Sequence, residues 1–228
     1  MKWEIDPVHS TIGFSAKHLM VSTVRGRFGG VRGEIDLDPA APEKATAEIV
    51  IDAASVETGM PMRDNHLRSA DFFEADRFPH LTYRVTKVHR LGSDRFRVEG
   101  DLTIRDVTRP VTLEAALSDL FVDTRRGTRI AISASGSIDR TDFGLRWNQT
   151  LETGGVVVSD RVKLELEITA VQLAAHVEQR RIRSRPDDRT AARRVEDSTS
   201  RNQDDKDKDR RIIRAVRPFV SFVFFVVL

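Results

Sequence analysis

Alternation of apolar and polar residues with a period of two runs through most of this chain, and it restricts the fold more than any other feature. Ile12, Phe14 and Ala16 fall on one side and Thr11, Ser15 and Lys17 on the other, with Val8 in phase with the first set and His9 with the second. The rhythm returns through Ala45–Ile51, Leu81–Val85, Phe96–Ile104, Val111–Leu117, Arg129–Ile138 and Val158–Ile168. Such segments are half-buried antiparallel strands. Between residues 24 and 37 the phase changes across Gly29-Gly30, as a bulge or sharp bend requires. The total is eight strands with one apolar face. Closing them into a barrel buries that face without a second sheet and leaves no open edge.

One stretch interrupts the rhythm. In Ser55–Phe78, Pro61 is placed to open a short helix with Leu67 one turn after Arg63, which predicts a helical cap over one barrel mouth. The fold expected is therefore all-β, a lipocalin-like eight-stranded antiparallel barrel with a short capping helix.

Charge marks the domain boundary. Residues 1–171 carry 23 Lys+Arg against 26 Asp+Glu, and residues 172–228 carry 14 against 9. The basic pI of about 9.1 thus belongs mostly to the tail, and the barrel lacks the basic stripe that nucleic acid needs. Residues 172–211 are charged and poor in large apolar side chains, so a disordered segment is expected there. The final stretch, 212–228, is apolar, yet its uncharged run Pro218–Leu228 is only 11 residues long. Even 17 helical residues reach about 25 Å against a hydrocarbon core of about 30 Å. Peripheral membrane contact through the tail is expected rather than a span. The charged N-terminus has no apolar signal-peptide core, which points to a cytoplasmic protein, membrane-peripheral at most.

Several chemistries have no foothold. The absence of cysteine removes disulfides and thiol nucleophiles, and the sequence has neither a G-x-S-x-G elbow nor a phosphate-binding loop. His9, His18, His66, His80 and His89 form no ligand motif on a helix, so no metal site is expected.

Small residues on the inward face, among them Ala16, Gly26, Ala45, Ala47, Gly100, Ala115 and Ala134, allow two readings. Either they leave a cavity for one ligand, or large neighbours such as Phe14, Phe28 and Tyr83 fill the gaps.

The residues also carry a resemblance. Trp3-x-Ile5-Asp6-x-x-His9-Ser10-x-Ile12-x-Phe14, Lys17-His18-Leu19, Val24-x-Gly26-x-Phe28 and Ser55-Val56-Glu57-Thr58 follow one another in order. So do Arg63-Asp64-x-His66-Leu67-Arg68-Ser69-x-Asp71-Phe72-Phe73, Phe78-Pro79, Gly100-x-Leu102-Thr103-Ile104, Thr108-Arg109-Pro110-Val111 and Arg140-x-Asp142-Phe143-Gly144-Leu145-x-Trp147. Over residues 1–171 the chain resembles the YceI family. The resemblance implies a lipocalin-like barrel holding a polyisoprenoid or similar long-chain lipid, with no catalytic residue. The tail has no counterpart in that family. No cofactor is expected beyond a bound isoprenoid or quinone-like lipid, and a homodimer is compatible with the fold.

Ligand contacts are then expected from Phe14, Ala16, Phe28, Ala47, Ile49, Ile51, Leu67, Phe72, Phe73, Tyr83, Val85, Val98, Leu102, Val111, Leu113, Ala115, Ile132, Phe143, Trp147 and Leu164. His18 at the mouth and Arg63 and His66 on the cap are placed to meet a head group. The plainer reading of the cap charges is that Arg63, Asp64 and Arg68 pin the helix to the barrel. The competing functional reading is an enzyme acting on a lumen-bound lipid, with His18 or His66 as base, recognisable by a lumen-facing carboxylate beside that histidine.

Overall fold

A computed structural model describes residues 1–19, 21–123, 127–149 and 157–173. The expectations for the tail, 172–211 and 212–228, fall beyond Leu173, outside the described residues. Twelve strand segments are present among those described: β1 (Lys2–Ile5), β2 (Thr11–His18), β3 (Ser22–Phe28), β4 (Val31–Asp36), β5 (Thr46–Asp52), β6 (Val56–Glu57), β7 (His80–Arg90), β8 (Arg95–Ile104), β9 (Val107–Leu117), β10 (Phe121–Asp123), β11 (Gly127–Asp139) and β12 (Val158–Gln172). Eight composite strands result, because β1–β2, β3–β4, β5–β6 and β9–β10 are each one strand interrupted once. Every neighbour is antiparallel.

Closure is made by β12. Along one edge it pairs with β11 from Arg129↔Val171 to Asp139↔Arg161. Along the other it pairs with β2 through Thr11–His18 and with β1 through Trp3–Ile5. The apolar faces turn inward, and Trp3, Ile5, Val31, Ile130 and Ala170 are almost fully buried.

Each interruption has a local cause. Between β1 and β2 the chain leaves the ladder, and Asp6 N–H and Ser10 Oγ both reach Thr169 O, at 2.8 and 3.3 Å. Val8 sits on this excursion and is 83% exposed, so its apparent place in the inward phase is corrected: the turn takes it out of the strand. The phase change at Gly29-Gly30 is the β3–β4 break, where Gly30 O accepts from Asp52 N–H at 2.7 Å. The predicted cap is α1 (Pro61–Arg68), with proline in its first turn.

Asp6 holds the first break together. Its carboxylate accepts from Arg129 Nη1 at 2.7 Å, from His9 Nδ1 at 2.8 Å and from Val8 N–H at 3.0 Å. Above all the Arg129 guanidinium, opposed by partial burial and helped by His9 and the Val8 N–H, holds the carboxyl down to about 2. The folded-state pKa is below that of an unfolded Asp, about 4, so this stabilisation is complete above pH 4 and disappears as pH falls towards 2. We expect Asp6→Asn to flatten the stability profile between pH 4 and 2 by on the order of 1–2 kcal/mol, read by urea unfolding at stepped pH. An unaltered acid limb would show that Asp6 does not link β1, β2 and β11.

Candidate functional site

The two ends of the barrel are built differently. At one end lie the β2–β3 turn, α1 and the 3-10 segment Arg140–Phe143; at the other lie the 37–45 connection, the β7–β8 turn and β10.

The cap end is filled. Phe14 packs on Phe28 and Phe28 on Phe73, each pair with ring centroids 5.5 Å apart. Gly26 makes this arrangement fit, since a Cβ there would lie 2.3 Å from the Phe14 ring. Leu67 packs partly buried against the same core. The helix charges are spent on the chain itself. Buried Asp64 accepts from Thr58 N–H at 2.8 Å and from Thr58 Oγ1, while Arg63 donates to Thr58 Oγ1 at 2.8 Å and Thr58 O at 3.0 Å. Arg68 donates to Ala54 O and Val56 O at 2.7 and 2.8 Å. These contacts pin α1 across the β5–β6 connection.

On the outside of the cap, His66 Nε2 lies 2.9 Å from Asp71 Oδ2, and its ring meets Phe72 and Trp147 edge-on at 5.1 and 4.6 Å. Arg140 is fully buried. It donates to Leu145 O, to Trp147 O at 2.9 Å and to Ser159 O at 3.1 Å, and pairs with Asp160 at 2.9 Å. Ser159 and Asp160 lie where the β12 register shifts between Val158 and Val162, so Arg140 satisfies the carbonyl left over by that bulge. The bulge and its staple were invisible in the sequence pattern.

The other end holds a half-open cavity of about 110 Å³. Its wall includes Ala47, Ile49, Tyr83, Val85, Val98, Leu113, Ala115 and Ile132 from the expected set, joined by Ile35, Leu37, Pro42, Ala45, Thr46, Val88, Phe96, Ala116, Leu117, Ala134, Leu166 and Ile168. Apart from the hydroxyls of Thr46 and Tyr83, these side chains are aliphatic or aromatic. Tyr83 is the inner boundary. Its hydroxyl donates to Val111 O at 3.1 Å, with Val98 O at 3.4 Å. Burial first, then the nearby Asp101 and Glu99, pushes the phenol well above its usual range, so it stays neutral.

The remaining expected residues lie away from this wall. Phe14, Phe28, Leu67 and Phe73 form the cap-end packing, and Ala16 and His18 are half-buried at the far end of β2. Ile51, Leu102, Val111 and Phe143 are buried in the core, with Leu164 partly buried against it. Arg63, His66, Phe72 and Trp147 belong to the cap. Neither His18 nor His66 reaches the cavity wall, and the partner of His66, Asp71, is half-exposed on the cap. No cluster of three metal-ligating side chains occurs among the described residues.

Small inward residues thus have two fates. The glycines are filled: a Cβ on Gly100 would lie 2.5 Å from the Tyr83 ring and 2.6 Å from Arg84 O. Ala45, Ala47, Ala115 and Ala134 border the cavity. We expect Gly100→Ala to lower stability by about 1–3 kcal/mol through overpacking, measured by denaturant unfolding. An unchanged midpoint would show that Tyr83 is not seated over Gly100.

Known proteins share the family and the fold. The sequence profile of the YceI-like domain matches residues 3–170. A UPF0312 protein of Staphylococcus aureus (strain MSSA476) is 38% identical over 163 residues, 70% of this chain and 91% of that protein. A Campylobacter jejuni YCEI protein is 31% identical with a TM-score of 0.60, covering 69% of this chain and 90% of that one. A polyisoprenoid binding domain from Saccharophagus degradans, at 20% identity and a TM-score of 0.55, covers 75% of this chain and 98% of that domain and shares the fold.

Proposed function

The chain belongs to the YceI-like domain family, and from that premise we propose that its barrel binds the apolar chain of a polyisoprenoid or similar amphipathic lipid. The observation that carries this reading is the cavity wall, which offers no charged side chain among the described residues. Such a wall recognises a guest by shape and apolar contact. Burying a methylene contributes about 0.8 kcal/mol, so a few isoprene units outweigh the cost of association. The likeness to a polyisoprenoid binding domain agrees with this class of guest.

The cavity volume sets how the guest enters. At about 110 Å³ it is smaller than the roughly 300–1,000 Å³ of ordinary ligand sites, so the protein holds the tip of a chain or opens to admit more. Half-buried Val85, Val98, Leu117 and Ile132 border the space and supply the movable part of the wall. The cap end is closed by Phe14, Phe28 and Phe73, which directs entry from the Pro42–Leu117 end. The head group then stays outside the barrel at that end, away from His18, Arg63 and His66. Carriage of the lipid, without chemistry on it, is the role this arrangement supports.

Filling the cavity tests the reading. With a fluorescent farnesyl lipid, Ala47→Trp and Ala115→Trp are each expected to weaken binding by an order of magnitude or more, with overpacking costing about 1–3 kcal/mol of stability. Circular dichroism and melting establish that the variants fold. A folded variant that binds like the parent overturns the internal site.

A further inference from the structure

We propose that the edge formed by Leu120, Phe121 and Val122 seats on a lipid bilayer and that the cavity is loaded from there, an inference that rests on the lipid-binding reading above. Alternation along a strand normally turns one of two neighbours inward. Here Leu120, Phe121 and Val122 are 46%, 65% and 69% exposed, three large apolar side chains in succession. β10 pairs with β11 through Phe121↔Arg129 and Val122↔Thr128 and has no second neighbour among the described strands. An exposed run of this kind is avoided on soluble proteins unless it meets a partner.

Position identifies the partner. Leu117 is part of the cavity wall, and the same chain reaches Leu120 three residues later. Leu117 N–H donates to Asp94 O at 2.9 Å, which ties the β7–β8 turn, with Leu91 50% exposed, to the same rim. The described chain also leaves the barrel at this end, where Leu173 N–H donates to Lys2 O at 2.9 Å. The sequence beyond it contains the uncharged run Pro218–Leu228.

Among the described residues the cap end offers no comparable surface. Val21 and Met62 are exposed there singly, which is ordinary, among the tethered charges of α1. A guest that dissolves in bilayers and hardly in water is supplied most directly from a bilayer, so the docking edge belongs beside the mouth. Three described cations near the mouth are engaged, Lys2 with Asp36, Arg90 with Glu43 and Arg129 with Asp6, and the exposed run itself is apolar. Attachment through that run is hydrophobic, takes place on zwitterionic vesicles and depends little on salt.

The cysteine-free chain permits a direct test. Val122→Cys and Val21→Cys in the full chain each carry one environment-sensitive NBD label, mixed with phosphatidylcholine vesicles. The label at 122 is expected to shift to the blue and brighten several-fold, the label at 21 to stay unchanged, and Leu120→Ser with Phe121→Ser to abolish the response at 122. Equal responses at both positions, or none at 122, overturn the proposal. So does a label at 122 already blue-shifted in buffer, which places the tail or a second copy on the edge.

Uptake of the fluorescent farnesyl lipid from detergent micelles separates the two readings. Uptake with a silent 122 label overturns the docking edge alone. A responsive label without uptake keeps the docking edge and overturns the lipid-binding cavity together with loading from the membrane.

Discussion

The whole structure depends on β12 finding partners along both of its edges. One edge takes eleven residue pairs from β11, and the other is shared by β2 and β1. Neither edge is then left to pair with another chain. Because the strand joins residues 158–172 to residues 2–18, the closing contacts are the most distant in sequence and the last whose loop entropy is repaid. The devices around it serve that closure. Asp6 anchors the β1–β2 break to Arg129 on β11, Ser10 supplies Thr169 with a side-chain donor and acceptor where the backbone has turned away, and Arg140 occupies the bulge at the strand's start.

Within the closed ring, residue size divides the interior into a packed half and a looser half. A glycine opposite a large ring is occupied by that ring, as Gly26 is by Phe14. An alanine excludes the ring without filling the space itself, and five alanines line the cavity. The packed half also carries the buried polar tethers of Asp64 and Arg140, which hold one arrangement of loops because breaking them leaves buried groups unsatisfied at about 1–3 kcal/mol each. Rigidity is concentrated at the cap, and volume at the opposite end.

Much of the fold was legible in the sequence because alternation is a direct imprint of a half-buried strand. The eight strands, the slip at Gly29-Gly30 and the helix opened by Pro61 all appear there. The cavity wall was less legible for identifiable reasons. In β7 the register shifts between Val85 and Lys87, leaving Thr86 as an extra residue, so Val85 and Val88 both face inward where simple alternation would separate them. Pro42 comes from a connection with no period to read. The expected set was drawn from the inward face along the strands and from the cap, whereas the space lies at one end only. Inward direction is a property of one strand, but emptiness depends on what the neighbouring strands place opposite.

The strand ladders make the same division. β9 and β11 share five residue pairs, Leu113–Leu117 with Gly136–Ile132, against ten between β8 and β9 and eleven between β11 and β12. This seam, with as few pairs as β5–β7, contains Ala115, Ala116, Ser133 and Ala134, so it has little side-chain surface to interlock. It borders the cavity and continues into β10. Enlarging the space at this seam leaves the aromatic packing of Phe14, Phe28 and Phe73 and the long β11–β12 ladder intact. Closure secured elsewhere leaves the ring intact if one mouth widens, and under the proposed function an apolar guest larger than the resting cavity requires that widening.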